Sequence, residues 1–207
     1  MNGKLFRSLL FSMPLLALLA LFPGHGDQAQ SGHAQSRPQR SAITIHVGKA
    51  GFFSPFGHNH IVSAPLAQVA IDPKSKTAAI TVLSADMKVM DADISDKDRT
   101  EIQATMLGPK VLDAQKFPEI KFTSSRIEET APDHFRVSGA LQLHGVSRQF
   151  TFPVTGTPEH YTGRTKLKQT DFGIQPVSVA GGTVKVKDEI EIDFDVYHEA
   201  EPHAPAR

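Results

Sequence analysis

His58 and His60 stand two apart in the decapeptide GFFSPFGHNH (residues 51–60), with Phe52, Phe53 and Phe56 beside them. If residues 58–60 are extended, both imidazoles project to the same side. His46 or His144 from a neighbouring strand would then complete a three-imidazole set of the kind that suits zinc or copper. No third ligand lies nearby in the sequence, and loop histidines bonded to backbone produce the same pattern. A nuclease reading of His58-Asn59-His60 rests on three residues, and strand alternation rather than a hairpin and helix follows them. The phenylalanines suggest different chemistry. Three of them in a loop with Gly51, Pro55 and Gly57 exceed what a hairpin end requires. They mark an apolar rim at the mouth of a cavity, with packing at the end of a barrel as the alternative.

Other reactive groups offer little. The chain contains no cysteine, which removes thiol nucleophiles and disulfides, and it has no Gly-x-Ser-x-Gly elbow. Asp91, Asp93, Asp96 and Asp98 lack the central glycine and terminal glutamate of a calcium loop; they read as the start of a helix and solvated surface. His144 and Asp171 read as turn residues. Lys49 and Arg148 are candidate partners for an anionic headgroup, although most surface cations meet only water. With 22 basic and 22 acidic residues the net charge is zero. That balance gives no basic stripe for a nucleic acid.

The elements that must hold these residues are strands. Apolar residues alternate with polar ones at Ile43, Ile45 and Val47, at Ala78, Ile80 and Val82, and at Ile120 and Phe122. Longer runs place Phe135, Val137, Gly139, Leu141 and Leu143 on one face, then Phe150, Phe152 and Val154, then Tyr161, Gly163, Thr165 and Leu167. The last segment sets Ile190, Ile192, Phe194 and Val196 against Glu189, Glu191, Asp193 and Asp195. Period two suits a half-buried strand and scatters the same residues around a helix. One helix interrupts the strands, with Ser95 as its cap, Asp98 three residues on, Ile102 and Met106 on one face, and Gly108-Pro109 at its end. About eight strands with one helical connection imply an all-β fold, stacked as a sandwich or closed as a barrel.

Residues 1–34 read as a signal peptide. Lys4 and Arg7 precede an apolar run from Leu9 to Phe22, too short for a comfortable membrane span of about 20 residues. Gly32-His33-Ala34 offers small residues for cleavage, and an uncleaved anchor is the alternative. Residues 35–40 read as a flexible leader, 41–198 as the folded domain and 199–207 as a disordered tail. Periplasmic or secreted localisation follows, with no membrane span after signal removal.

Four stretches resemble one family in the order in which they occur. DAQKFPEIKFTSS (Asp113–Ser125), VSGALQLHGVSRQF (Val137–Phe150), TDFGI (Thr170–Ile174) and VKDEIEIDFDV (Val186–Val196) resemble the YceI-like family over Ser41 to Tyr197. The early segment departs from the family pattern: there is no tryptophan, and Phe-Gly-His-Asn-His stands near the start, as in a variant branch. The resemblance implies an eight-stranded antiparallel lipocalin-like barrel. It also implies an exported, non-enzymatic protein that binds a long apolar ligand, a polyisoprenoid or fatty-acid-like lipid, and needs no cofactor. Phe52, Phe53, Phe56, Phe122, Phe150 and Phe152 are then the expected ligand contacts. A metal-dependent role for His58 and His60 is the alternative, a barrel filled by its own side chains is a third reading, and a homodimer is left open.

Overall fold

The strands alternate as the sequence implies, and they close. A computed structural model of the chain describes residues 41–50, 59–179 and 184–198. Its strands are β1 (Ala42–Val47), β2 (Lys49–Ala50), β3 (His60–Asp72), β4 (Thr77–Leu83), β5 (Lys88–Val89), β6 (Glu119–Ala131), β7 (His134–Leu143), β8 (Val146–Thr157), β9 (His160–Lys168), β10 (Ser178–Val179), β11 (Val184–Val186) and β12 (Glu189–Tyr197). Eight of them run antiparallel in the order β1-β12-β9-β8-β7-β6-β4-β3, and β3 pairs back onto β1 to complete a barrel. Closure leaves no long edge open to another chain. β5 extends the ladder on β3, and β10, β11 and β2 form a small separate sheet.

Direction along the barrel follows from the connections. The turns after β3, β6 and β8 lie at one end, together with the start of β1 and the end of β12. The β7–β8 hairpin, the connection from β4 to β6, the junction of β9 with β12, and the facing residues Val47 and His60 lie at the other. The second end is packed solid. Ile45, Val62, Ala64, Val82, Met87, Val89, Leu112, Leu143, Leu167, Phe172 and Ile174 form one buried cluster there.

The one α-helix among the described residues, α1 (Asp96–Leu107), rests on this floor. Ser95 caps it as the sequence implies: its Oγ accepts from the Asp98 N–H at 3.1 Å, and Gly108 closes the last turn onto Ala104 and Thr105. Ile102 and Met106 pack against the floor cluster. Gln103 fastens the helix to β5, accepting from the Val89 N–H and donating to the Met87 carbonyl, both at 2.8 Å. No helix among the described residues is long and apolar enough to cross a membrane.

Two strands bend where their register shifts. β3 carries a bulge between Leu66 and Gln68, and β6 one between Ser124 and Arg126 and a second at its end, between Glu129 and Ala131. Each inserts a residue and exchanges the inward and outward positions beyond it. The turn-side halves of both strands therefore present Val69, Ile71, Ile127 and Glu129 toward the axis.

Candidate functional site

Above the floor the barrel is hollow. A cavity of about 420 Å³ occupies the turn-side half, and it is walled by inward positions of the eight strands. Its middle level is formed by Ile43, Ile80, Phe122, Leu141, Phe150, Thr165 and Ile192. Nearer the turns the wall is Ile71, Ile127, Phe135, Val137, Phe152, Val154, Tyr161, Phe194 and Val196. Exposed turn residues Asp72, Pro73, Lys76, Asp133 and Pro158 edge the mouth.

Aromatic rings give the cavity its shape. Phe152 is the hub, edge-on to Phe122 at 5.1 Å and to Phe194 at 5.4 Å, with Phe150 tilted at 5.5 Å. Phe135 meets Tyr161 edge-on at 6.2 Å. Such pairs hold their geometry through the ring quadrupoles as well as through burial. Two inward glycines make room for this layer. A Cβ on Gly139 would lie 2.7 Å from Phe122 Cζ and collide with the Thr123 carbonyl oxygen, and one on Gly163 would overlap the ring of Phe194 and lie 2.6 Å from the Pro153 carbonyl oxygen.

Polar groups in the wall are few. Among the described residues no side-chain hydrogen bond engages Tyr161 Oη or Thr165 Oγ1. Burial, with the nearby Glu159 charge, pushes the Tyr161 phenol above its ordinary value. At the mouth Asp72 accepts from the N–H groups of Lys74 and Ser75 and from the Ser75 hydroxyl. Those hydrogen bonds, the Ser75 hydroxyl foremost, hold its carboxyl below the usual range.

The sequence-derived ligand residues separate into two groups. Phe122, Phe150 and Phe152 all stand on the cavity wall. Phe52, Phe53, Phe56 and His58 lie outside the described residues. The residues flanking them, Ala50 and Asn59, adjoin the ends of β1 and β3 at the floor, away from the turns that edge the mouth. Lys49 and Arg148 are also at the floor end, where Arg148 donates to the Asp171 carbonyl. Phe135, Tyr161, Phe194 and Ile192 also line the cavity and were legible as inward strand positions. Glu129 was not, because the bulge that turns it inward leaves no periodic mark.

The described histidines do not converge. His60 Nδ1 lies 2.6 Å from Asp91 Oδ2, and Asp91 Oδ1 accepts from the Ile61 N–H at 2.7 Å. Asp91 is 3% exposed, so its place is the floor of the barrel and not the solvated surface suggested by its neighbours Asp93, Asp96 and Asp98. His46 projects from the outer face to Asp193 at 3.0 Å. His144 sits in the β7–β8 turn, edge-on to Phe117 and bonded through Nδ1 to the Phe172 carbonyl. Among the described residues no three histidine, aspartate or glutamate side chains are grouped to hold a metal.

Known proteins share both the architecture and the sequence pattern. A crystal structure of BcnA from Burkholderia cenocepacia matches 75% of this chain and 94% of its own, with a TM-score of 0.53 at 21% identity. The Campylobacter jejuni YCEI protein matches over 68% and 82%, with a TM-score of 0.52 at 19% identity. At these identities the likeness is one of fold. A UPF0312 protein of Pseudomonas putida (strain W619) is 31% identical over 90 residues, which cover 39% of this chain and 47% of that protein, about half its length. A UPF0312 protein of Azotobacter vinelandii is 22% identical over 175 residues, covering 79% of this chain and 87% of its own. The model of the YceI-like domain matches residues 35–197, a span that takes in every strand of the barrel, and the chain belongs to the YceI-like family.

Proposed function

We propose that this protein is an exported, non-enzymatic binding protein that holds one long-chain apolar lipid, of the polyisoprenoid or fatty-acyl type, in its barrel. The observation that carries the reading is the cavity: aliphatic and aromatic wall, closed floor, open mouth. Eight-stranded barrels have room inside for one small ligand when side chains do not fill them. Here the larger cluster fills the floor half, and the cavity lies beside a second, smaller buried cluster of Phe122, Val137 and Val154. Export rests on the Lys4 and Arg7 flank and the short apolar run from Leu9 to Phe22.

The volume bounds the ligand. At about 30 Å³ for each water-sized group, about 420 Å³ holds roughly fourteen methylene-sized groups. Burying each contributes about 0.8 kcal/mol, so a filled cavity gains on the order of 11 kcal/mol. Association costs about 4–15 kcal/mol. A chain of about eight carbons therefore binds weakly, and one that fills the cavity and keeps its polar end at the mouth reaches useful affinity. Longer polyisoprenoids fit by leaving part of the chain outside.

Native mass spectrometry of protein recovered from the periplasm or medium tests this reading, with organic extraction of whatever it carries. The expected result is one long-chain molecule per barrel. Fluorescent fatty-alcohol probes, which suit a chain without tryptophan, should be displaced by chains of about fourteen carbons and not by octanol-length ones. If neither a carried lipid nor displacement is found, the reading fails.

A further inference from the structure

β6 changes face part-way along its length. Ile120 and Phe122 point inward before the bulge between Ser124 and Arg126; Ile127 and Glu129 take the inward positions after it. Unbroken alternation would have turned Glu129 outward. Its neighbour Glu128 does face outward, paired with Arg126. The bulge thus sets one carboxylate on the cavity wall at the mouth. Among the described residues Glu129 has no ion pair and no side-chain hydrogen bond.

The surroundings of Glu129 do not neutralise it. Asp72 and Asp133 add two carboxylates to the cavity lining, and Lys76 adds one ammonium. On the adjoining turns Lys74 and Glu159 cancel. Counted over the described residues, the mouth is therefore net negative wherever the Lys76 side chain swings. A ligand must also present its polar end here, because the floor cluster closes the other end with aliphatic and aromatic side chains.

We propose that Glu129 selects ligands whose polar end donates a hydrogen bond and carries no negative charge: long-chain alcohols, amides or amines in preference to fatty acids or prenyl phosphates. This inference rests on the cavity reading above. A carboxylate or phosphate seated at the mouth would face the solvent-exposed Glu129 carboxylate at the edge of the apolar wall, and such a juxtaposition disfavours the wrong ligand. A hydroxyl, amide or ammonium would donate to that carboxylate, and an ammonium would gain charge assistance.

A matched set of straight chains of about fourteen carbons, the acid, the alcohol and the amine, tests the proposal. Each displaces an uncharged fluorescent long-chain alcohol from the full protein near neutral pH, at low salt and below its micelle concentration. The alcohol and amine should bind at least about tenfold more tightly than the acid. Glu129→Gln should bring the three within about threefold of one another, with the thermal midpoint unchanged because Glu129 makes no contact that folding needs. Glu129→Lys should place the acid above the amine. Acid binding as tight as alcohol binding in the native protein, or an unaltered order in Glu129→Lys, would overturn the head-group selection and leave the cavity reading standing. Failure of the probe to bind, or of any of the three to displace it, would overturn both.

Discussion

Phe194 lies across Gly163, its directly opposed partner in the β12–β9 ladder, and its ring occupies the space a side chain on Gly163 would take. The ring reaches the cavity wall because that space is empty. Gly163→Val should push Phe194 inward against Phe152 and shrink the cavity. The new Cβ would also lie 2.6 Å from the Pro153 carbonyl oxygen, a backbone atom, so the loss is at least that typical of overpacking, about 1–3 kcal/mol. Urea denaturation should show that loss, and probe displacement should show weakened binding of chains that fill the cavity. Shorter chains should be less affected. Full retention of long-chain affinity would mean that Phe194 finds room outside the cavity.

The His60–Asp91 pair belongs to the floor, and its contribution should be structural. His60→Ala leaves a carboxylate oxygen of Asp91 buried without its partner, a loss worth about 1–3 kcal/mol. Probe affinity should not change, since neither residue lines the cavity. Dialysis against a chelator should leave the thermal midpoint of the native protein where it was. A large drop on chelation that disappears when His58→Ala is combined with His60→Ala would favour the metal-dependent alternative instead.

Acid should loosen the barrel through Asp193 on its outer face. The Arg164 guanidinium, and after it His46, hold the Asp193 carboxyl below its ordinary value of 3.8. Between the folded and unfolded values, the unfolded chain binds a proton that the folded chain does not. Stability from this group is therefore complete above the unfolded value and falls as pH drops toward the folded one. Asp193→Asn should flatten the acid limb of a stability–pH curve. A limb of unchanged slope would assign the acid sensitivity elsewhere.

Tyr161 offers an intrinsic reporter of occupancy. Burial already raises its phenol above 10.0, and a bound chain would remove more water from the same wall. In a Tyr197→Phe variant, which leaves Tyr161 as the single tyrosine, ultraviolet titration should show ionisation above 10.0, and at still higher pH with ligand present. An unchanged curve on adding ligand would place the bound chain away from Tyr161.

Much of the barrel was legible in the alternation. β12 announced itself because Ile190, Ile192, Phe194 and Val196 face carboxylates at every other position, and Ser95 with Asp98 marked the helix start. β3 was harder to read, because Pro65 and three alanines blur its pattern and the bulge at Leu66–Gln68 reverses it half-way. The second half of β6 was hidden in the same manner. For the site, Phe122, Phe150 and Phe152 could be placed on inward faces from period two alone. Depth along the axis could not, since it depends on how the strands are staggered and on which end the floor cluster fills. Asp91 was misleading for a related reason: its partner His60 lies 31 residues away in sequence, beyond the reach of any local pattern.

The floor holds the larger buried cluster and the turn-side half a smaller one beside the cavity, so the two ends of the barrel face different evolutionary pressures. A change at Leu143 or Leu167 opens a void in a filled cluster, and truncations of that kind cost about 2–5 kcal/mol. A change at Ile80 or Ile71 alters a wall that already has empty space on one side, so less contact is lost. Mutations at the hollow end can therefore accumulate with little penalty to folding while they reshape what fits. After gene duplication, a copy could change its cargo through a few substitutions above the floor and keep the same barrel beneath them.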